Sequence, residues 1–316
     1  MTVFDQESVP THVVGIIGGA VAGSEAAALC AQKGAIAVVF EQGARPYGKI
    51  EDGLPRWHDK LRQKEYERID ENLAHERVVF VPNTKIGEDV SIEALAEEYG
   101  LSALLLANGA WRDRPLPIDG IDAYVGKGLL YQNPFVYWFN HYHEPGYRGA
   151  RYDVVDHAIV VGGGLASVDV VKVINLELYA AALRKLGHDV DLTELEVKGI
   201  PKICEDHGVD PASLGIHGAT LYYRRGMDEM PVATADHPSP EQEAKLKVAR
   251  VKIMERVMRK YLVHFVGNAA PAGTVLVDVL SDAQATVTVQ NGGGLSITVD
   301  PRKGAVLVPQ DQVNGN

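Results

Sequence analysis

One short pattern occurs twice in this chain and constrains it more than any other: an apolar β-type run, a cluster of glycines, then an apolar stretch at helical spacing. Residues 13–17 read VVGII and lead into Gly18-Gly19-Ala20-Val21-Ala22-Gly23. An Ala-rich helix is expected from about Ser24 to Lys33, closed by Gly34, and the run 36–40 (IAVVF) reads as a second strand. Residues 157–161 (HAIVV) begin the pattern again. Gly162-Gly163-Gly164-Leu165-Ala166-Ser167 follows, then a helix from about Ser167 to Leu186 and a strand at 219–223 (ATLYY). Strand, glycine turn, helix, strand is a βαβ unit, with parallel pairing and a helix over the sheet. The fold class expected is therefore α/β, with two Rossmann-like three-layer dinucleotide-binding domains in tandem and a β-meander over 262–308. The first domain is placed at 1–125, a linker at 126–155, and the second domain at 156–316 with a helical insertion at about 187–218.

In such a unit the first glycine permits the tight turn off the strand. The second lets a pyrophosphate approach the backbone, and the third lets helix and strand pack closely. The pyrophosphate then meets free N–H groups at the positive end of the helix dipole. In the first turn these positions are Gly18, Ala20 and Gly23, with Ala22 beside them; the methyl of Ala20 crowds the phosphate position. Glu41 ends the next strand at roughly the 20-residue spacing where a carboxylate accepts from an adenosine ribose. The competing reading is an ordinary strand–helix turn with a surface acid.

The second turn keeps Gly162 and Gly164, followed by Leu165 and Ala166, with Ser167 in the third position. No acid follows its second strand; Arg224 and Arg225 stand there instead. A carboxylate would repel a ribose 2′-phosphate and a guanidinium would bind it in bidentate fashion, so the pair points to NADP(H) rather than NAD(H). A surface arginine pair is the plainer alternative. The gap from glycines to arginines exceeds the usual distance, which is the reason for placing an insertion at 187–218.

Composition sets limits. With 316 residues and 46% hydrophobic content the chain has material for two cores. The net charge is −11 with no basic stripe, which argues against nucleic acid as a partner. No apolar run approaches a membrane span, and a cytoplasmic location is expected. Cys30 and Cys204 form no CxxC, which speaks against a redox dithiol or an iron–sulfur cluster. Cys30 is expected as a small buried hydrophobe on its helix.

Between the units, 42–58 reads as loop, 59–75 as a polar helix, 78–81 as a strand, and Ser91 as the cap of a short helix. The strand 103–107 runs into Asn108-Gly109. The aromatic stretch 131–139 is read as packing between domains. His141-Tyr142-His143-Glu144 is read as a surface or interdomain loop, not a metal site, and no metal is expected. The charged helix at 240–260 is read as a solvated face, with docking of an acidic electron carrier as the alternative.

These residues resemble the NADPH-dependent flavoproteins of the glutamate synthase small-subunit and adrenodoxin reductase-like group over roughly 13–235. The resemblance is carried by VVGIIGGAVAGSEAA with Glu41, by 45–55 (RPYGKIEDGLP), by 106–110 (LANGA) with 116–120 (LPIDG), and by 160–169 (VVGGGLASVD) with Tyr223-Arg224-Arg225. It implies FAD on the first unit, with Gly48, Lys49, Asn108 and Gly109 beside it, and NADPH on the second. It implies a hydride passed to the flavin and electrons passed on to a ferredoxin or an electron-accepting subunit, with no side chain acting as acid, base or nucleophile. Such proteins owe their rate to holding two rings in order. The chain departs from the group at Ala20 and Asn108, and in lacking a Gly-Asp segment after the second unit. Three readings follow from that departure: the chain is a fragment, a partner chain completes the flavin site, or flavin binding is weak or absent. The alternative is a partner-completed or degenerate chain that binds NADP(H) and FAD in a structural or regulatory role. A monooxygenase chemistry is disfavoured by the second nucleotide unit.

Overall fold

The computed structural model describes residues 12–110, 112–115 and 118–267, together with the backbone of three short strands beyond them. The chain divides after Asp153 into two units.

The first unit runs β1 (Val13–Ile17), α1 (Val21–Gln32), β2 (Ile36–Phe40), α2 (Lys49–Asp52), α3 (Asp59–Leu73), β3 (Val78–Val81), α4 (Ile92–Glu97), β4 (Ala103–Leu106) and α5 (Gln132–His141). Its four strands are all parallel, in the order β3-β2-β1-β4. The direction of winding therefore reverses between β1 and β4, which is where open α/β sheets leave a crevice for ligands. Register places Val14 beside Ala37, and Ile16 beside Val39, which in turn pairs with Phe80. These side chains share one face and form the core with Ala27 of α1. Alanines at 27, 28 and 31 are buried, so the helix backbone lies close to the sheet. α1 begins at Val21, earlier than the expected Ser24, because Ala20 already stands in extended backbone as the residue before the helix. Gly34 takes the expected left-handed conformation (φ 87°). Cys30 is only half-buried.

Two expectations are corrected in this unit. The loop at 42–58 contains the short helix α2. The stretch assigned to a linker contains α5, which buries Phe135, Val136, Trp138 and Phe139. Asn140 donates to the carbonyls of Glu51 and Leu54, and the Trp57 and Phe139 rings lie 5.2 Å apart. The aromatics that looked like interdomain packing thus dock α5 onto the 51–57 loop of its own unit. Neighbouring aromatic rings gain about 1 kcal/mol beyond the area they bury.

The second unit runs β5 (Ile159–Val161), α6 (Leu165–Lys185), α7 (Leu192–Lys198), α8 (Ile200–Asp206), β6 (Thr220–Tyr222), α9 (Pro240–Tyr261) and β7 (His264–Val266). Strands β5, β6 and β7 form a parallel sheet in that order. Residues 264–266, expected in a meander, belong to this parallel sheet. Strands β8 (Val275–Asp278), β9 (Thr286–Thr288) and β10 (Leu307–Pro309) pair antiparallel about β8. The rest of the expected meander lies outside the described residues. α7 and α8 occupy the 187–218 stretch and bury Leu195, Ile200 and Ile203.

Buried polar groups fasten this unit. Asn175 of α6 accepts from the Ala219 N–H and donates to the carbonyls of Tyr261 and Leu262, tying α6 to β6 and to the end of α9. The Glu196 carboxylate receives the Lys172 ammonium at 2.8 Å and the Tyr261 hydroxyl at 2.7 Å. Burial pushes the Glu196 carboxyl up, but these two donors win and hold it below its ordinary range. Burial first, and then the same contact, push the Tyr261 hydroxyl far up.

Candidate functional site

Eight of the residues singled out from the sequence converge in the first unit. Gly18, Ala20, Ala22, Glu41, Gly48, Lys49, Asn108 and Gly109 line one cleft of about 470 Å³ at the C-terminal ends of β1, β2 and β4. Gly18 has φ 98°, and a Cβ there would stand 2.6 Å from the Ala107 carbonyl oxygen. Any side chain would be both strained and blocked. Gly23 lies beneath the turn, where a Cβ would run into the Gly18 carbonyl oxygen. That contact is what lets α1 start directly under the turn. Ala20 sits at φ −72° in extended backbone, a conformation open to any residue, so its methyl costs no strain. No side chain caps α1 and no acid occupies its first turn. Its first N–H groups and the positive end of its dipole therefore face the cleft.

Glu41 is not a surface acid. It is 6% exposed, and its two carboxylate oxygens accept from the N–H groups of Gly19 and Gly43, each at 2.9 Å. The side chain ties the glycine turn to the loop after β2. Each oxygen keeps a further lone pair, and the residue lines the cleft.

Gly48 precedes α2 with φ 47°, which turns Lys49 inward. The Lys49 ammonium donates to Asn133 Oδ1 at 2.9 Å, and burial lowers its pKa. Lys49 also lines a second cleft of about 500 Å³, shared with Asp52, Arg112, Asp113, Asn133 and Tyr137. Reading the sequence missed Thr84, Lys85 and Ile86, which follow β3 and line the first cleft. Their signal was available, since ligands of parallel sheets gather at the strands' C-terminal ends.

The second unit repeats the geometry with other chemistry. The Gly162 N–H donates to the Tyr222 carbonyl at 3.0 Å. The Tyr223 ring lies against Gly163, where a Cβ would overlap it. Gly164 precedes α6 in extended backbone, and neither a side-chain cap nor a first-turn acid occupies the helix start. Leu165 and Ala166 are exposed there. Ser167 stands in for the third glycine and donates its hydroxyl to the Gly164 carbonyl at 2.7 Å. Arg224 and Arg225 follow β6, both exposed, and neither meets a carboxylate among the described residues.

Both units thus present an uncapped helix N-terminus behind a glycine turn. The model of the pyridine nucleotide-disulphide oxidoreductases matches residues 11–202. The chain belongs to that family. It is 30% identical over 171 residues to the mitochondrial NADPH:adrenodoxin oxidoreductase of Arabidopsis thaliana, covering 52% of this chain and 33% of that protein. It is 32% identical over 183 residues to the glutamate synthase [NADPH] small chain of Bacillus subtilis, covering 56% and 34%. The matched stretch thus spans about a third of these relatives' length. Among solved structures, FprA of Mycobacterium tuberculosis, also solved in complex with NADPH, superposes with a TM-score of 0.54 at 19% identity. That match covers 95% of this chain and 67% of FprA and shows a shared fold.

Four further features mark this family member. Its cysteines lie in different units, and both are free thiols. Among the described residues no group of side chains could hold a metal ion, and no helix is long and apolar enough to cross a membrane. His141, expected in a surface or interdomain loop, is buried at the end of α5 between Asp52 and Glu144.

Proposed function

We propose that the chain binds FAD in the first cleft and NADPH on the second glycine turn. It acts as an oxidoreductase that draws electrons from NADPH and passes them to a ferredoxin-type carrier or an electron-accepting subunit. The observation that carries this reading is the pairing of two uncapped glycine-turn helices with opposite charges at the end of the neighbouring strand. Glu41 suits an unphosphorylated ribose, and Arg224 with Arg225 suits a 2′-phosphate.

The first cleft fits a dinucleotide. Gly18 and Gly23 leave the backbone open, and the start of α1 offers N–H donors for a pyrophosphate. Gly48 and Lys49 lead from that point into the second cleft, toward the ring end of the cofactor. The flavin, when bound, supplies the redox chemistry. The chain's own residues bind, orient and exclude water. Arg224 and Arg225 would select the coenzyme, and Lys49, which lines both clefts, would supply positive charge to a cofactor that reaches the second.

A second reading, in which another polypeptide completes the flavin site, draws on β4. That strand forms one end of the described sheet, and Leu106 is 66% exposed there. The visible spectrum of the purified chain, before and after anaerobic NADPH, separates the two. Flavin absorption near about 450 nm that bleaches with NADPH supports the oxidoreductase. A chain that stays colourless after FAD is added, yet still binds NADPH, supports completion by a partner or a binding role. Failure to bind NADPH as well would sink both.

A further inference from the structure

We propose that Asp52, His141 and Glu144 form a proton relay between the second cleft and solvent. Asp52, the last residue of α2, lines that cleft, and its side chain is 25% exposed. Its Oδ1 lies 3.2 Å from His141 Nε2, and His141 Nδ1 lies 2.8 Å from Glu144 Oε1. The imidazole is 10% exposed and the Glu144 carboxylate 52%. A buried ring thus joins a carboxylate in the cleft to one in water. An imidazole with a carboxylate on each nitrogen takes up a proton on one side as it gives one up on the other.

The surroundings favour this route over the neighbouring histidine. Arg56 contacts His143 Nδ1 at 2.5 Å and lies over the Phe139 ring at 4.6 Å. Burial and then the Arg56 charge lower the His143 pKa, which keeps that ring neutral and engaged as an acceptor. The other titratable groups around the relay are Tyr137, whose ring lies 4.6 Å from that of His141, and Glu51 and Lys49 on α2. Burial first, then Asp52 and Glu144, raise the Tyr137 pKa, so its hydroxyl stays protonated. Asn140, held by the carbonyls of Glu51 and Leu54, fixes α5 against α2.

The relay rests on the proposed reaction. Oxidation of one NADPH by two one-electron acceptors yields NADP+, two reduced acceptors and one proton. That proton has to leave the cleft in every turnover. It reaches the Asp52 carboxylate and passes to His141 Nε2 while the Nδ1 proton moves to Glu144. Glu144 releases it to water, and a turn of the imidazole about its Cβ–Cγ bond carries the bare nitrogen back toward Asp52 for the next proton.

The test uses the full chain with FAD, NADPH as donor and ferricyanide as acceptor. Proton release is followed by a pH indicator in stopped flow beside ferricyanide reduction. In the wild type the two keep pace. In Glu144→Gln, an exposed change that leaves the fold intact, proton release should lag by about tenfold or more, and concentrated imidazole buffer should restore it. His141→Gln should show the same lag. Nitrogen NMR of the cofactor-free chain should show both His141 ring nitrogens hydrogen-bonded, with the Nδ1 bond lost in Glu144→Gln. Unchanged proton release in both variants, or a His141 ring free of both carboxylates, would overturn the relay while leaving the function standing. A bound flavin that NADPH does not reduce would overturn the function, and the relay with it.

Discussion

The two glycine turns of this chain share a backbone and differ in what surrounds it. In the first, the acid at the end of β2 is turned inward and tied to the scaffold, since Glu41 accepts from the Gly19 and Gly43 N–H groups while still lining the cleft. In the second, the residues at the same topological place are cations that point outward and bind nothing in the described chain. The third position differs as well. The helix of the first unit starts so close to its turn that only Gly23 fits, whereas the second accommodates Ser167 and uses its hydroxyl. One supersecondary unit can thus make its charged residue part of the frame or leave it exposed at the strand's end.

Breaking the frame should cost most. Glu41→Ala strips one buried and one part-buried N–H group of a charged acceptor and should destabilise the first unit by about 3 kcal/mol. All three tryptophans lie before residue 154, so their fluorescence in a urea titration reads the first unit's unfolding directly. A loss under about 1 kcal/mol would mean the carboxylate serves the ligand rather than the fold. Gly23→Ala should follow at about 2 kcal/mol by the same readout, because the new methyl meets a carbonyl oxygen that cannot swing away.

In the second unit, Glu196→Gln should weaken stability at neutral pH. The Glu196 carboxyl titrates below its unfolded value, so its contribution is present above the unfolded pKa and disappears as pH falls through the lower folded one. The gap between wild type and variant, followed by hydrogen exchange in α7, should therefore close on acidification. A gap that stays constant would show that shape, not charge, matters there.

Removing the exposed arginines should leave the fold alone. Arg224→Ala or Arg225→Ala should weaken NADPH binding by about 1–2 kcal/mol and leave NADH nearly unchanged. Equal losses for both coenzymes in a fluorescence titration would remove the 2′-phosphate assignment. The smallest effect belongs to Ser167→Ala. It loses one hydrogen bond to Gly164 and should cost about 1 kcal/mol or less, against the larger cost of adding a methyl at Gly23.

The sequence by itself determined the two parallel units. Apolar runs ending in glycine clusters leave a chain few other ways to bury its strands, and Gly18 shows why, since its conformation and its neighbours both exclude a side chain. Periodicity also set most helices to within a few residues. The sequence could not show that α5 belongs to the first unit, because an aromatic run reads the same whichever surface it covers. Nor could it show that Glu41 faces backbone or that His141 sits between two carboxylates. Those arrangements depend on bonds such as Asp52 to His141, whose partners lie 89 residues apart and meet only because α2 and α5 pack together. Local pattern specifies the elements; partners such as Gly19 for Glu41 and Asp52 for His141 are long-range, and only tertiary packing selects them.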